Sequence, residues 1–230
     1  GEAALRALVA AAAAAGKRRA AKQLEVPEHL RQVYTLERVW TVQECDHVLS
    51  ALRSEVTARS AAGTGWTQDR HAAYATTDLP CSEVLSVDAW VRTSLRERVF
   101  TCLARRHGWL PEDGSRLAFR DLFFVWYSAS PGGQPGLALH RDGSIISFNI
   151  LLNDAADFEG GGTYVEADDR TYSIQRGDCF VHSGKLRHGG TPVTRGERFV
   201  LVAFVDVMDD AADADADIGD TGGPIRTDAI

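Results

Sequence analysis

Two histidines and one aspartate in this 230-residue chain have the residue types and spacing of a metal site. His140 and Asp142 flank a single residue, and on an extended segment residues i and i+2 point to the same side. His188 follows after several predicted strands. Two imidazoles and one carboxylate leave adjacent coordination positions of a bound Fe(II) open, as oxygen activation requires. We therefore predict that His140, Asp142 and His188 are metal ligands.

One arginine stands where an anion should meet it. Arg198 lies ten residues beyond His188 and opens the apolar run Phe199-Val200-Leu201-Val202-Ala203-Phe204. A cation at the start of a buried strand is costly unless it is paired. Because guanidinium groups bind carboxylates through two parallel hydrogen bonds, Arg198 suits the distal carboxylate of a dicarboxylate co-substrate that chelates the metal.

His182 competes with His188 for the role of the second imidazole ligand, because it also lies on a late predicted strand. We assign the role to His188, which alone precedes Arg198 by ten residues. His182 is interpreted as a residue that lines the pocket or orients a ligand. The remaining histidines assigned to structural positions are His29, His47, His71 and His107.

The elements that must position these residues change character along the chain. Helices are predicted first, in the Ala-rich residues 2–24, from the capping box Thr41-Val42-Gln43-Glu44 through Val56, and over residues 88–107. Short strands separated by Gly-rich turns follow, which is typical of a jelly roll. Helices before strands predict an α+β fold with the helices on one face of the sheets. The predicted strands are 33–40, 117–127, 145–152, 163–166, 171–174, 179–182 and 199–205.

Composition excludes several classes of protein. The formal net charge of −7 matches the surplus in residues 206–230, which hold eight acidic residues and one basic residue. Residues 1–205 contain equal numbers of acidic and basic residues, which argues against a strongly basic surface for binding nucleic acid. Four dispersed cysteines form no C-x-x-C pair, and no apolar run is long enough to span a membrane. Residues 5–19 lack the order of a signal peptide, and the compartment stays open.

Several motifs together resemble the catalytic domain of 2-oxoglutarate- and Fe(II)-dependent oxygenases of the prolyl and lysyl hydroxylase type, with procollagen lysyl hydroxylases the most similar. The resemblance covers roughly a third of the chain. The motifs are Trp126-Tyr127-Ser128, His140-Arg141-Asp142-Gly143-Ser144, Asn149-Ile150-Leu151-Leu152-Asn153, Phe158-Glu159-Gly160-Gly161-Gly162, residues 182–198 and Ala203-Phe204-Val205-Asp206.

The resemblance implies a double-stranded β-helix with His140, Asp142 and His188 as iron ligands and Arg198 as the 2-oxoglutarate anchor. It also implies that Tyr127 and Asn149 face the co-substrate. Fe(II), 2-oxoglutarate and O2 are the expected cofactors, with ascorbate a further candidate. The expected reaction is hydroxylation of a lysine or proline side chain of a protein or peptide, or of a related amino acid, with succinate and CO2 as co-products.

Two other functions stay open: a nucleic-acid base oxidase or demethylase, and a non-catalytic module that binds iron and 2-oxoglutarate. An H-x-H cupin is set aside because Asp142 occupies the second position. We expect a helical arm at residues 1–30, a catalytic domain at 31–207 and an acidic, disordered tail at 208–230. Substrate determinants are expected in loops 61–80, 130–137 and 155–162, where Trp66 and Tyr74 are either core residues or parts of a lid. The oligomeric state stays open.

Overall fold

The computed structural model describes residues 31–71, 73–108 and 111–208. The predicted arm at residues 1–30 and the predicted tail beyond residue 208 lie outside this part of the chain. The helices are α1 (Val42–Arg59), α2 (Asp88–Leu95) and α3 (Thr101–His107), with a π-helical turn at Arg96–Phe100 and short 3-10 turns at Ser60–Ala62, Cys81–Glu83 and Ala155–Asp157.

The strands form two antiparallel sheets. The strands are β1 (Val33–Leu36), β2 (Asp78–Pro80), β3 (Leu117–Ser128), β4 (Leu137–His140), β5 (Ile146–Leu151), β6 (Phe158–Gly160), β7 (Thr163–Val165), β8 (Arg170–Tyr172), β9 (Cys179–Ser183), β10 (His188–Gly190) and β11 (Val193–Val207). The larger sheet has the order β1-β9-β5-β11-β3-β2, with β6 paired to β11, and the smaller sheet has the order β4-β10-β7-β8.

Helix α1 begins at the predicted capping box. The Thr41 side chain accepts a hydrogen bond from the Glu44 backbone, and the Glu44 carboxylate accepts one from the Thr41 backbone. Two otherwise unpaired amide groups are thereby satisfied. The predicted helix 88–107 also forms, as α2, the π-helical turn and α3 in succession. The apolar stripe of α1 that packs into the core consists of Cys45, Val48, Leu49 and Leu52.

Alternation along the strands divides the larger sheet into two faces. On β11, Phe199, Leu201 and Ala203 pack in the cluster that also contains the buried residues of the helices. The residues between them point the opposite way, because successive side chains of a strand alternate. Val200 packs in a second cluster between the two sheets. The helices therefore cover one face of the larger sheet, and the other face is free to form a site.

Some predicted boundaries differ from the structure for local reasons. The strand predicted over 33–40 ends at Leu36, because Arg38 adopts a positive φ of 53° in a turn. The predicted loop 61–80 contains β2, which is held by its pairing with β3. Gly160, Gly161 and Gly162 have positive φ values of 75°, 71° and 101°, which glycine adopts without steric cost. The strands on either side do not form a hairpin, because β6 pairs with β11 and β7 pairs with β8 and β10. All four cysteines are free. None of the described helices has the length and apolar character needed to cross a bilayer.

Candidate functional site

The two sheets bring His140 and His188 together. His140 ends β4 and is the direct partner of His188 at the start of β10. Their ring centroids are 4.4 Å apart. Asp142 follows β4 by two residues, and its backbone amide donates a hydrogen bond of 3.0 Å to the Gly184 carbonyl. The turn after β4 is therefore tied to the turn after β9, and this tie turns the carboxylate toward both imidazoles.

The three side chains converge on one point. The Asp142 Oδ1 atom lies 3.1 Å from His140 Nε2 and 3.4 Å from His188 Nε2. One ligand atom from each residue lies within 4.8 Å of the other two, and these residues make up the metal-binding cluster found in the described chain. The structure thus brings the three predicted ligands together. His182 is not a member of this cluster.

Backbone carbonyls determine which imidazole nitrogens are available. His140 Nδ1 lies 2.8 Å from the Ala138 carbonyl oxygen, and His188 Nδ1 lies 3.0 Å from the Leu186 carbonyl oxygen. A carbonyl only accepts hydrogen bonds, so each Nδ1 carries the proton. In the neutral rings each Nε2 then presents a lone pair toward Asp142. This is the usual support for metal-binding histidines.

The chemistry of these donors fits a divalent cation. Asp142 is 8% exposed, and its Oδ1 atom is buried without a hydrogen-bond partner. Burial raises the pKa of Asp142, but the positive charge and hydrogen bonds that the imidazoles offer when Nε2 also carries a proton outweigh it and hold the pKa well below its usual value. An ionised carboxylate facing two imidazole lone pairs is unfavourable unless a cation lies among them.

Arg198 lines the same cavity. It is 4% exposed, and within residues 31–208 as described no carboxylate lies close enough to form an ion pair with it. Its guanidinium carbon lies 5.6 Å from the ring centroid of Tyr127, its partner on β3. Burial lowers the pKa of Arg198, with the Tyr127 hydroxyl opposing the shift. A buried cation without a carboxylate partner is suited to bind an anion in this cavity.

Asn149 and Tyr127 both line this cavity. The Asn149 amide donates to the Thr163 hydroxyl at 3.3 Å, and its Oδ1 atom is buried without a partner. Burial raises the pKa of Tyr127, so its hydroxyl keeps its proton at neutral pH. Thr163 is a site residue that sequence reasoning missed, because a lone threonine on a three-residue strand carries no motif.

His182 packs directly on the metal cluster. Its ring centroid lies 4.1 Å from that of His188, and its Nδ1 atom lies 3.0 Å from the Ser183 carbonyl oxygen. Burial and the neighbouring His188 lower the pKa of His182 to about 3, so it is neutral at physiological pH. This placement agrees with the interpretation of His182 as a pocket residue.

The segment before β2 forms the outer wall of the cavity. Tyr74 is 42% exposed, and its ring centroid lies 5.1 Å from that of His140. His71, which the sequence assigned to a structural position, also lines the cavity and packs on Phe123 at 4.9 Å. Trp66 stacks on Trp126 at 5.8 Å, against the core. The two aromatic residues that the sequence left open therefore differ: Trp66 belongs to the core and Tyr74 to the rim.

Comparisons with known proteins agree with this geometry. The chain is 41% identical over 80 residues to the multifunctional procollagen lysine hydroxylase and glycosyltransferase LH3 of Rattus norvegicus. It is 38% identical over 96 residues to procollagen-lysine,2-oxoglutarate 5-dioxygenase 1 of Homo sapiens. These matches span 33% and 40% of the chain but only 11% and 13% of the relatives. No family model matches the chain.

Solved structures share its fold. The epimerase SnoN in complex with Fe3+, alpha ketoglutarate and nogalamycin RO has a TM-score of 0.56 at 18% identity, and the match covers 84% of each chain. The non-heme monooxygenase ThoJ in its nickel complex has a TM-score of 0.55 at 20% identity, over 78% of this chain and 76% of ThoJ. The chain thus has the double-stranded β-helix fold of 2-oxoglutarate- and Fe(II)-dependent oxygenases and resembles procollagen lysine hydroxylases over about a third of its sequence.

Proposed function

We propose that residues 31–207 form a Fe(II)- and 2-oxoglutarate-dependent dioxygenase domain that hydroxylates a lysine or proline side chain of a protein or peptide, or a related amino acid. The observation that carries this proposal is the pairing of two features in one cavity. A His-Asp-His cluster lines the cavity, and so does the buried Arg198, which has no carboxylate partner among the described residues.

Each residue has a role that follows from its contacts. His140, His188 and Asp142 would hold Fe(II) through the two Nε2 atoms and the carboxylate. Arg198 would bind the distal carboxylate of 2-oxoglutarate, beside the protonated Tyr127 hydroxyl and the unpaired Asn149 amide oxygen. When bound, the metal and 2-oxoglutarate supply oxygen activation coupled to decarboxylation of the co-substrate to succinate and CO2.

The remaining cavity residues would position the substrate and exclude water. Phe123, Val202 and Phe204 line the cavity on the side away from Arg198, and Tyr74 covers the outer face of His140. An apolar wall beside the metal cluster favours a C–H bond as the reacting group and keeps bulk water from it. The apolar wall and the balanced charge of residues 1–205 disfavour a nucleic-acid base as substrate.

A binding experiment and a turnover experiment test this proposal. Purified protein is titrated with Fe(II) and 2-oxoglutarate without oxygen, and the charge-transfer absorption of the complex is recorded. Succinate release is then measured in air with proline- and lysine-containing peptides. We expect the absorption band in the wild type and its loss in His140→Ala, with Arg105→Gln on the exposed surface of α3 as the control. Absence of the band in the folded wild type would contradict the proposal, whereas a band without turnover of any peptide would favour a non-catalytic binding module.

A further inference from the structure

Three cations gather around the turns that follow β4 and β9. Arg141 is exposed, lies between the two ligands of the H-x-D motif and lines the cavity. Its guanidinium donates a hydrogen bond to the Lys185 carbonyl. The Lys185 ammonium donates to the Gly143 carbonyl at 2.8 Å, and the Arg120 guanidinium donates to the same carbonyl at 3.1 Å. We call Arg120, Arg141 and Lys185 the cationic rim.

The cationic rim carries more positive charge than its surroundings neutralise. Asp206 lies 3.6 Å from the Arg120 guanidinium. Neither Arg141 nor Lys185 has a carboxylate within ion-pair distance in the part of the chain that the structure describes. Arg187, two residues beyond Lys185, is by contrast paired with Glu166 at 2.7 Å. Arg141 and Lys185 therefore lack carboxylate partners, although the neighbouring Arg187 has one.

The groups of the cationic rim have unused donors. A guanidinium has five N–H donors and an ammonium has three, and the hydrogen bonds above use one donor of Arg141 and one of Lys185. Because Lys185 and Arg120 approach the same carbonyl oxygen, their charges repel each other. An anion at this position relieves the repulsion and takes up the free donors, with a carboxylate matching the fork of Arg141.

The lining of the cavity leaves Arg141 as the cation that can bind an acidic group of the substrate. Asp142 is the sole acidic residue among the described residues that line it. Arg198 also lines the cavity, and the proposed function assigns it to 2-oxoglutarate. Arg141 borders the same cavity as His140 and Asp142, so a substrate bound in this cavity lies next to it.

We propose that Arg141 and Lys185, supported by Arg120, form a subsite for a carboxylate of the substrate, supplied by a Glu or Asp side chain next to the hydroxylated residue of a peptide. This inference rests on the proposed function and adds a substrate class to it. The reacting side chain enters the cavity, while the flanking acidic side chain stays at the rim.

Matched peptides test the subsite. Fluorescently labelled peptides centred on proline carry Glu or Gln at one of two positions on either side, and a third set carries phosphoserine there. Dissociation constants are measured by anisotropy without oxygen, with Fe(II) and 2-oxoglutarate present. The proteins are the wild type, the double variant Arg141→Gln/Lys185→Gln and the control Arg105→Gln. A labelled single-stranded oligonucleotide of the same net charge completes the set.

We expect the wild type and the Arg105→Gln control to bind the best Glu peptide about fivefold more tightly than its Gln match, as for a partly exposed ion pair. The double variant should lose this preference and keep the charge-transfer band of the Fe(II)–2-oxoglutarate complex. In the wild type the preference should also shrink at 0.5 M salt, because exposed charges are screened.

Several outcomes would overturn the subsite. They are equal binding of Glu and Gln peptides, no binding of any Glu peptide, a preference that survives in the double variant, and tighter binding of phosphoserine peptides or the oligonucleotide. Each of these results, obtained with the charge-transfer band intact, contradicts the subsite alone. Loss of the band in the wild type would instead contradict the proposed function.

Discussion

Arg198 and Tyr127 are direct partners on β11 and β3, and the Arg198 guanidinium lies 5.6 Å from the centre of the Tyr127 ring. The pair faces the interior of the cavity, where Arg198 has no carboxylate partner among the residues described. A buried cation without a carboxylate partner lowers the stability of the fold, since replacing a buried charge by an apolar group is often neutral or stabilising. Arg198 therefore favours ligand binding at the expense of stability.

Replacing Arg198 with Met should therefore separate binding from stability. We expect the affinity for 2-oxoglutarate to fall at least about tenfold, because a bidentate carboxylate pair is lost. The free energy of unfolding in urea should stay unchanged or rise by about 1 kcal/mol. Affinity is measured from the charge-transfer absorption of the Fe(II)-loaded protein. The control is Arg195→Met, which lies on the same strand as Arg198 and removes an exposed cation that is paired with Glu159 of β6. This variant should leave the affinity for 2-oxoglutarate unchanged.

The two neighbouring late histidines should differ in metal binding. His188→Gln removes a member of the metal cluster, and we expect Fe(II) affinity to fall at least about a hundredfold. His182→Gln leaves the cluster complete, so the expected loss is about tenfold or less. Affinities are measured by competition with a chromophoric chelator. Equal losses in the two variants would show that the assignment of His188 over His182 is wrong.

Proline should be a better substrate than lysine. Asp142 is the sole carboxylate among the described residues that line the cavity, and it is assigned to the metal. A lysine ammonium would enter without an acidic partner, at the cost of burying an unpaired charge. For peptides that differ only at the central residue, we expect kcat/KM for succinate release to be at least about tenfold higher with proline. A preference for lysine would contradict the premise that no carboxylate other than Asp142 reaches the substrate.

The ion pair at the start of α1 should make stability depend on pH. Hydrogen bonds from Arg98, at 2.8 and 2.9 Å, lower the pKa of Glu44 from 4.5 to about 2. A lowered pKa in the folded state means that this stabilisation is complete above pH 4.5 and disappears as the pH falls toward 2. Glu44→Gln should cost about 1 kcal/mol at pH 7, since the pair is partly exposed.

Urea unfolding at pH 7 and at acidic pH measures this effect. The difference between wild type and Glu44→Gln should narrow as the pH approaches 2. A difference that is constant across this range would contradict the ion-pair assignment. The helix cap contributes little to the comparison, because a neutral glutamine can accept the same backbone hydrogen bond.

Local patterns were sufficient to predict much of this protein. The capping box at Thr41 predicted where α1 begins, because both of its hydrogen bonds are made within four residues. The metal cluster was also predictable, since i and i+2 on an extended segment share a side and few other functions need this set of ligand types. The length of Arg198's strand was underestimated, as β11 begins at Val193.

Only the tertiary structure decided what depends on pairing between distant segments. Strand β4 has the sequence Leu-Ala-Leu-His and β10 has the sequence His-Gly-Gly, so no high β-strand propensity predicts either of them. Their pairing nevertheless makes His140 and His188 direct partners. Long-range packing also determined that Tyr74 lies at the edge of the cavity and that the residues of the cationic rim come together. Lys185 and Arg120 meet because two turns and a long strand approach one carbonyl oxygen. The sequence determined which chemical groups were present, and long-range packing determined which of them share a cavity.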